Sequence, residues 1–120
     1  MNNILLVDDS KAMRMIVKRT LTAAGYPHAT YREAADGKAA FEMIKQDKPD
    51  LVVSDWNMPE WTGIELLQAL NQAAIRVRFG FVTSESTPDM QRRAAENGAL
   101  FLVTKPFTPD MLASALARVQ

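Results

Sequence analysis

The chain has 120 residues, no cysteine and a formal net charge of zero. That length suits one domain over residues 1–120 with a core that needs no staples, and the missing cysteine excludes a disulfide framework and thiolate chemistry while fitting a reducing cytosol. The even charge argues against a strongly basic nucleic-acid surface, no apolar run approaches the roughly 20 residues of a membrane span, and Met1-Asn2-Asn3 leads straight into an apolar strand without a signal-peptide pattern.

Ile4 to Val7 is a continuous apolar run, the pattern of a strand covered on both faces. Ser10 caps the next helix, in which Met13, Ile16, Val17, Thr20 and Leu21 recur at inward-facing spacing, with Lys11, Arg14, Lys18 and Arg19 on the other side. Gly25 ends it. His28 to Ala34 reads as a short edge strand that carries the single histidine on its surface. Asp36-Gly37 opens a second helix with Ala40, Phe41, Met43 and Ile44 facing inward, and Pro49 stops it from extending. Leu51 to Ser54 is a central strand that stops at Asp55. Met58 to Thr62 is a loop. Thr62 and Glu65 stand in capping-box register ahead of a third helix with Ile64, Leu66, Leu67 and Leu70, running to about Asn71. Val77 to Thr83 is a fourth strand, where Gly80 leaves room for close packing. Thr87-Pro88 starts a fourth helix and Asn97-Gly98 ends it. Ala99 to Thr104 is the fifth strand. Thr108-Pro109-Asp110 opens a last helix through Met111, Leu112, Ala115, Leu116 and Val119.

Strands and helices thus alternate five times, which implies an α/β fold with a parallel sheet and helices on both faces. Right-handed crossovers leave few topologies. The common flavodoxin-like order, 2-1-3-4-5, puts the site outside the carboxyl ends of strands 1 and 3.

Three strand endings meet there. Asp8 and Asp9 follow strand 1 and stand beside Asp55, since neighbouring strands lie about 4.8 Å apart. At about 5 Å and an effective dielectric of about 20, each pair of carboxylates repels by on the order of 3 kcal/mol. A cation must offset this, and hard oxygen ligands without histidine or cysteine match Mg²⁺. Asn57 lies two residues past Asp55, so its backbone carbonyl could join the metal shell while its side chain faces phosphate or water. Thr83 ends strand 4. Lys105 ends strand 5, roughly 10 Å from Asp55 along the edge, a gap that two extended side chains close. A carboxylate nucleophile, a divalent ion, a hydroxyl donor and a point cation together suit phosphoryl transfer to an aspartate.

These residues resemble the receiver domains of two-component response regulators. The Asp8-Asp9 pair, Asp55, Thr83 and Lys105-Pro106-Phe107-Thr108 fall in that family's order across essentially the whole chain. Asp55-Trp56-Asn57-Met58-Pro59, followed by Gly63, looks like the single-domain chemotaxis regulators in particular. The resemblance implies a cytoplasmic, phosphorylation-controlled signalling module that catalyses only its own phosphorylation and dephosphorylation. Asp55 would accept a phosphoryl group from a phosphohistidine on a sensor histidine kinase or phosphotransfer domain. Asp9, Asp55 and the Asn57 carbonyl would bind Mg²⁺, with Asp8 contributing through water. Thr83 and Lys105 would contact the phosphoryl oxygens, and the bond before Pro106 would be cis. Phosphorylation would switch a partner-binding surface near helix 4, strand 5 and helix 5, without direct nucleic-acid binding or membrane insertion. One departure concerns output: the family's switch residue, three before the lysine, is usually aromatic and here is Leu102. Phe101 is aromatic, but alternation points it to the opposite face. Either Leu102 repacks by itself or output uses another part of the surface.

Other functions match less well. A phosphohydrolase with an aspartate nucleophile needs a second acid two residues on, where Ser10 follows Asp8 and Asn57 follows Asp55. A flavin or nucleotide protein on this fold needs a glycine- or hydroxyl-rich loop after strand 1, where two negative charges stand instead. A Mg²⁺-binding interaction module without phosphotransfer would keep every acidic position. Trp56 reads as cover for the site or as half-exposed filler, and Trp61 as a partner contact or loop packing. The basic side of helix 1 reads as a solvated face or as a kinase-docking surface with Phe107 exposed nearby. A stand-alone regulator and a piece of a longer one fit the chain equally.

Overall fold

The computed structural model describes residues 2–118; the expected inward position of Val119 lies outside the described residues. Five strands, β1 (Asn3–Val7), β2 (Thr30–Ala34), β3 (Leu51–Ser54), β4 (Arg78–Thr83) and β5 (Phe101–Thr104), alternate with helices. The helices are α1 (Lys11–Ala23), α2 (Gly37–Gln46), α3 (Gly63–Gln72), α4 (Pro88–Glu96) and α5 (Pro109–Ala117). Every strand pair is parallel and the order is β2-β1-β3-β4-β5, as expected.

Successive residues of a strand face opposite sides of the sheet, and here each side has its own core. Leu5, Val7, Val52, Phe79 and Phe81 pack with Ala40 and Ile44 of α2, Leu66 and Leu70 of α3 and Ala94 of α4. Ile4, Leu6, Leu51, Val53, Val82 and Val103 pack with Val17 and Leu21 of α1 and Leu112 and Leu116 of α5. Coverage on both faces is why β1 and β3 read as unbroken apolar runs. At the β4–β5 edge the Phe101 ring lies on Gly80, where a Cβ would collide with it.

Each helix starts at a side chain that accepts a backbone N–H three residues on. Ser10 takes Met13, Asp36 takes Ala39, Thr62 takes Glu65, Thr87 takes Met90 and Thr108 takes Met111. Such caps contribute about 1 kcal/mol each. Glu65 also accepts the Thr62 N–H at 2.8 Å, which completes the capping box. All five caps lie in strand-to-helix loops on the carboxyl side of the sheet, where the acidic residues stand.

Some expected positions differ. β2 begins at Thr30, so His28 lies exposed in the turn before it. β4 and β5 begin at Arg78 and Phe101, because the ladders pair Leu51 with Arg78 and Gly80 with Phe101; Val77 and Ala99 precede them. Ile16 is 45% exposed and Met111 41%. Helix α1 meets the sheet through the narrow stripe of Val17 and Leu21, one turn apart, so Ile16 falls outside it. Leu112 takes the inner position beside Met111 in the same way.

Candidate functional site

Three backbone hydrogen bonds continue the parallel ladder past the strand ends. The Asp8 N–H donates to the Ala34 carbonyl at 3.2 Å, the Asp55 N–H to Val7 at 2.9 Å and the Lys105 N–H to Thr83 at 2.7 Å. They hold Asp8, Asp55 and Lys105 at one level along the carboxyl edge of the sheet. Asp8, Asp9 and Asp55 each bring a carboxylate oxygen within 4.8 Å of the others. Lys105 Nζ lies 3.7 Å from Asp8 Oδ2 and 3.8 Å from Asp55 Oδ2. The Lys105–Pro106 bond is cis. Thr83 is wholly buried at the end of β4, and Asn57 is exposed at the rim.

The two buried carboxylates are held alike. Asp8 Oδ1 accepts the Ser10 N–H at 2.9 Å and Asp55 Oδ1 accepts the Trp56 N–H at 2.8 Å, which leaves each Oδ2 turned toward Lys105. Burial pushes the Asp8 carboxyl above the usual aspartate range; the Ser10 N–H opposes this and the Asp55 charge adds to it. Burial also raises Asp55, with Lys105 the main opposing influence.

Among the described residues, two buried side-chain atoms have no hydrogen-bond partner: Asp8 Oδ2 and Thr83 Oγ1. A buried unsatisfied polar group costs about 1–3 kcal/mol, so each one calls for a partner such as a bound ion, a ligand or an ordered water. Three carboxylates with an orphaned oxygen among them fit a hard divalent cation. An orphaned hydroxyl at the end of β4, on the residue whose carbonyl accepts the Lys105 N–H, fits an oxyanion.

The family model for the response regulator receiver domain matches residues 4–117. The chain belongs to the response regulator receiver family. It is 36% identical over 118 residues to the chemotaxis protein CheY of Pseudomonas aeruginosa, covering 97% of this chain and 94% of that protein. It is 34% identical over 116 residues to the chemotaxis protein CheY of Thermotoga maritima, covering 97% and 95%. The solved structure of chemotaxis protein CheY4 of Vibrio cholerae superposes with a TM-score of 0.84 at 34% identity, covering 100% of this chain and 99% of that one. The receiver domain of the putative response regulator NarL from Mycobacterium tuberculosis gives 0.85 at 26% identity, covering 98% and 94%. Receiver domains are phosphoacceptor modules of phosphorylation-controlled signalling, and the family is Mg²⁺-dependent in general. No described helix is long and apolar enough to cross a membrane.

Several residues of this receiver are positioned in ways the sequence pattern hides. Trp56 is buried, with its ring 4.8 Å from Phe81 and the Arg93 guanidinium 5.7 Å above it. It is a core residue behind Asp55, neither an outer cover nor half-exposed filler. Trp61 is loop packing: its Cβ abuts the Gly37 backbone and its ring lies 5.7 Å from Phe41. Phe107 is half-buried against the α1–α5 side of the sheet, not exposed. Leu102 is half-buried opposite Phe81, while Phe101 occupies the other face. At Gly63 a Cβ would overlap the Asp55 carbonyl oxygen and the Phe81 ring, and the Gly63 N–H donates to the Trp56 carbonyl at 2.8 Å. Only glycine lets α3 start this close to Asp55. Arg14, which the charge pattern assigns to a solvated face or docking surface, turns inward toward Asp8.

Proposed function

We propose that Asp55 is the phosphoacceptor of a Mg²⁺-dependent switch fed by a phosphohistidine on a sensor histidine kinase or phosphotransfer domain. The observation that carries this reading is Lys105 Nζ spanning Asp8 Oδ2 and Asp55 Oδ2 at 3.7 and 3.8 Å, with the buried, unpartnered Thr83 hydroxyl at the end of β4. Asp55 Oδ2 attacks phosphorus; the new O–P bond replaces the P–N bond, and the imidazole leaves as the neutral base after taking up a proton. Lys105 and Thr83 then bind the oxygens of the transferred group, which gives the Thr83 Oγ1 hydrogen its missing acceptor. Asp9, Asp55 and the Asn57 carbonyl would hold Mg²⁺, with Asp8 contributing through water. The ion would supply charge neutralisation of the transferring group. Hydrolysis ends the phosphorylated state: water attacks phosphorus, the new O–P bond replaces the bond to Asp55 Oδ2, and the carboxylate is released with inorganic phosphate. The chain catalyses only these two reactions on itself, in the cytoplasm, and the phosphorylated form presents a changed surface to a protein target. Leu102 and Thr83 are the output residues nearest the site.

The test is intact mass of wild type and Asp55→Asn after acetyl phosphate with Mg²⁺, repeated with EDTA. One phosphoryl adduct on the wild type alone, lost with EDTA, is expected. An adduct of equal yield on Asp55→Asn would place the acceptor elsewhere and refute the assignment.

A further inference from the structure

Arg14 sits one turn into α1, with its side chain only 13% exposed. Its Nη1 donates to the Asp8 carbonyl at 2.6 Å and its Nε to Glu33 Oε1 at 2.7 Å. The acceptors belong to different elements: the turn after β1, and β2. The Asp8 carbonyl is half of the peptide that joins Asp8 to Asp9. Holding it fixes the rotation about the bonds on either side, and so the direction in which Asp9 leaves the backbone.

The rest of the turn is already held. The Asp8 N–H bonds the Ala34 carbonyl, next to Glu33 on β2, and the Asp8 carboxylate accepts the Ser10 N–H. Asp9 is exposed, and its carboxylate is aimed by that peptide plane. An ion pair with one half-exposed partner, as Glu33 is here, would by itself contribute little. A guanidinium with two donors in a fixed fork, one on a main-chain carbonyl beside three carboxylates, is a different device.

We propose that Arg14 is a positioning residue of the phosphotransfer site. By clasping the Asp8–Asp9 peptide to β2 through Glu33, it orients the Asp9 carboxylate and so sets the affinity of the site for Mg²⁺. The inference rests on the reading of Asp8, Asp9 and Asp55 as the Mg²⁺ site. The fork geometry, not the charge, carries the effect, so lysine does not replace arginine.

The experiment is a Mg²⁺ titration of the full chain followed by tryptophan fluorescence, with thermal melting of each protein in EDTA alongside. Wild type, Arg14→Lys and Arg14→Ala are compared. Partners that orient metal ligands are worth about 10–100-fold in affinity. The expected result is a Mg²⁺ dissociation constant raised about tenfold in both variants, with Arg14→Lys melting within a few degrees of wild type. Wild-type affinity in Arg14→Lys would make the role one of charge alone and overturn the proposal, as would wild-type affinity in both variants. Failure of the wild type itself to bind Mg²⁺ would instead overturn the reading of the site, and the inference with it.

Discussion

Replacing Asp8 with asparagine should stabilise the metal-free protein while weakening its response to Mg²⁺. The carboxylate oxygens of Asp8, Asp9 and Asp55 lie within 4.8 Å of one another, so at an effective dielectric of about 20 each pair repels by about 3.5 kcal/mol. Lys105 at 3.7 Å from Asp8 Oδ2 returns about 4.5 kcal/mol on the same scale. Two repulsions against one attraction leave a net cost of about 2–3 kcal/mol, to which burial of Asp8 adds. Screening of the exposed Asp9 and a weaker bond from the Ser10 N–H to a neutral acceptor reduce the relief to about 1–2 kcal/mol. For a chain of 120 residues that is a rise of about 4–8 °C in Tm. Melting in EDTA at pH 7 measures it, and a second melt with excess Mg²⁺ should raise the wild type more than Asp8→Asn. Burial raises the folded-state pKa of Asp8 above its ordinary value. The stability associated with its carboxyl is therefore complete below the unfolded pKa and is lost as pH rises through the folded one. The gap between wild type and Asp8→Asn should accordingly close on acidification toward pH 4. A variant less stable than wild type in EDTA at pH 7 would mean that the Ser10 and Lys105 contacts outweigh the repulsion, and the account of the cluster would fail.

Thr62→Ala removes the Oγ1 that caps α3 by accepting the Glu65 N–H and that donates to Glu65 Oε1; a loss of about 1 kcal/mol in urea unfolding is expected, with phosphorylation yield retained. Gly80→Ala drives a Cβ into the Phe101 ring and should destabilise by about 1–2 kcal/mol. In a Phe101→Ala background the same change should become neutral or stabilising, since alanine is favoured over glycine within a strand. A double-mutant cycle without coupling would refute the packing argument.

Much of the site was legible because each of its residues follows an apolar run. Asp8, Asp55 and Lys105 end β1, β3 and β5, and alternation of strands and helices was enough to bring those ends to one edge. The order of the sheet is the common one for such alternation, while the caps at Ser10 and Thr62, the capping box and the helix starts at Asp36, Thr87 and Thr108 followed from local residue chemistry. Arg14 did not follow, because its partners are a main-chain carbonyl and a residue on β2. In the sequence it is one of four cations along α1, and nothing separates it from Lys18. Trp56 was ambiguous for a related reason: its burial depends on Phe81 from β4 and Arg93 from α4, elements far along the chain. Ile16 misled because a stripe wide enough for four residues per two turns on paper narrows to Val17 and Leu21 against this sheet.

The departure at Leu102 makes the attachment of α4 the informative quantity. Helix α3 buries Ile64, Leu66, Leu67 and Leu70, whereas α4 buries only Ala94, with Met90 partly packed against the core and Arg93 lying over Trp56. At about 1.5–3 kcal/mol for each large apolar side chain fully buried, α4 is held to the sheet several kcal/mol less firmly than α3. Trp56 joins α4 to Asp55 directly, since its backbone N–H donates to Asp55 Oδ1 while its ring underlies Arg93. The row Trp56, Phe81, Leu102 leads from there to β5 on the same face. A change at Asp55 therefore reaches α4 through an indole, and an aromatic ring at position 102 is not needed to bridge the gap. Amide hydrogen exchange should find α4 opening well below the free energy of α3, with its protection altered by acetyl phosphate and Mg²⁺ in the wild type and unaltered in Asp55→Asn. Equal protection of the two helices, or no change in α4 on phosphorylation, would show that the signal leaves by another face.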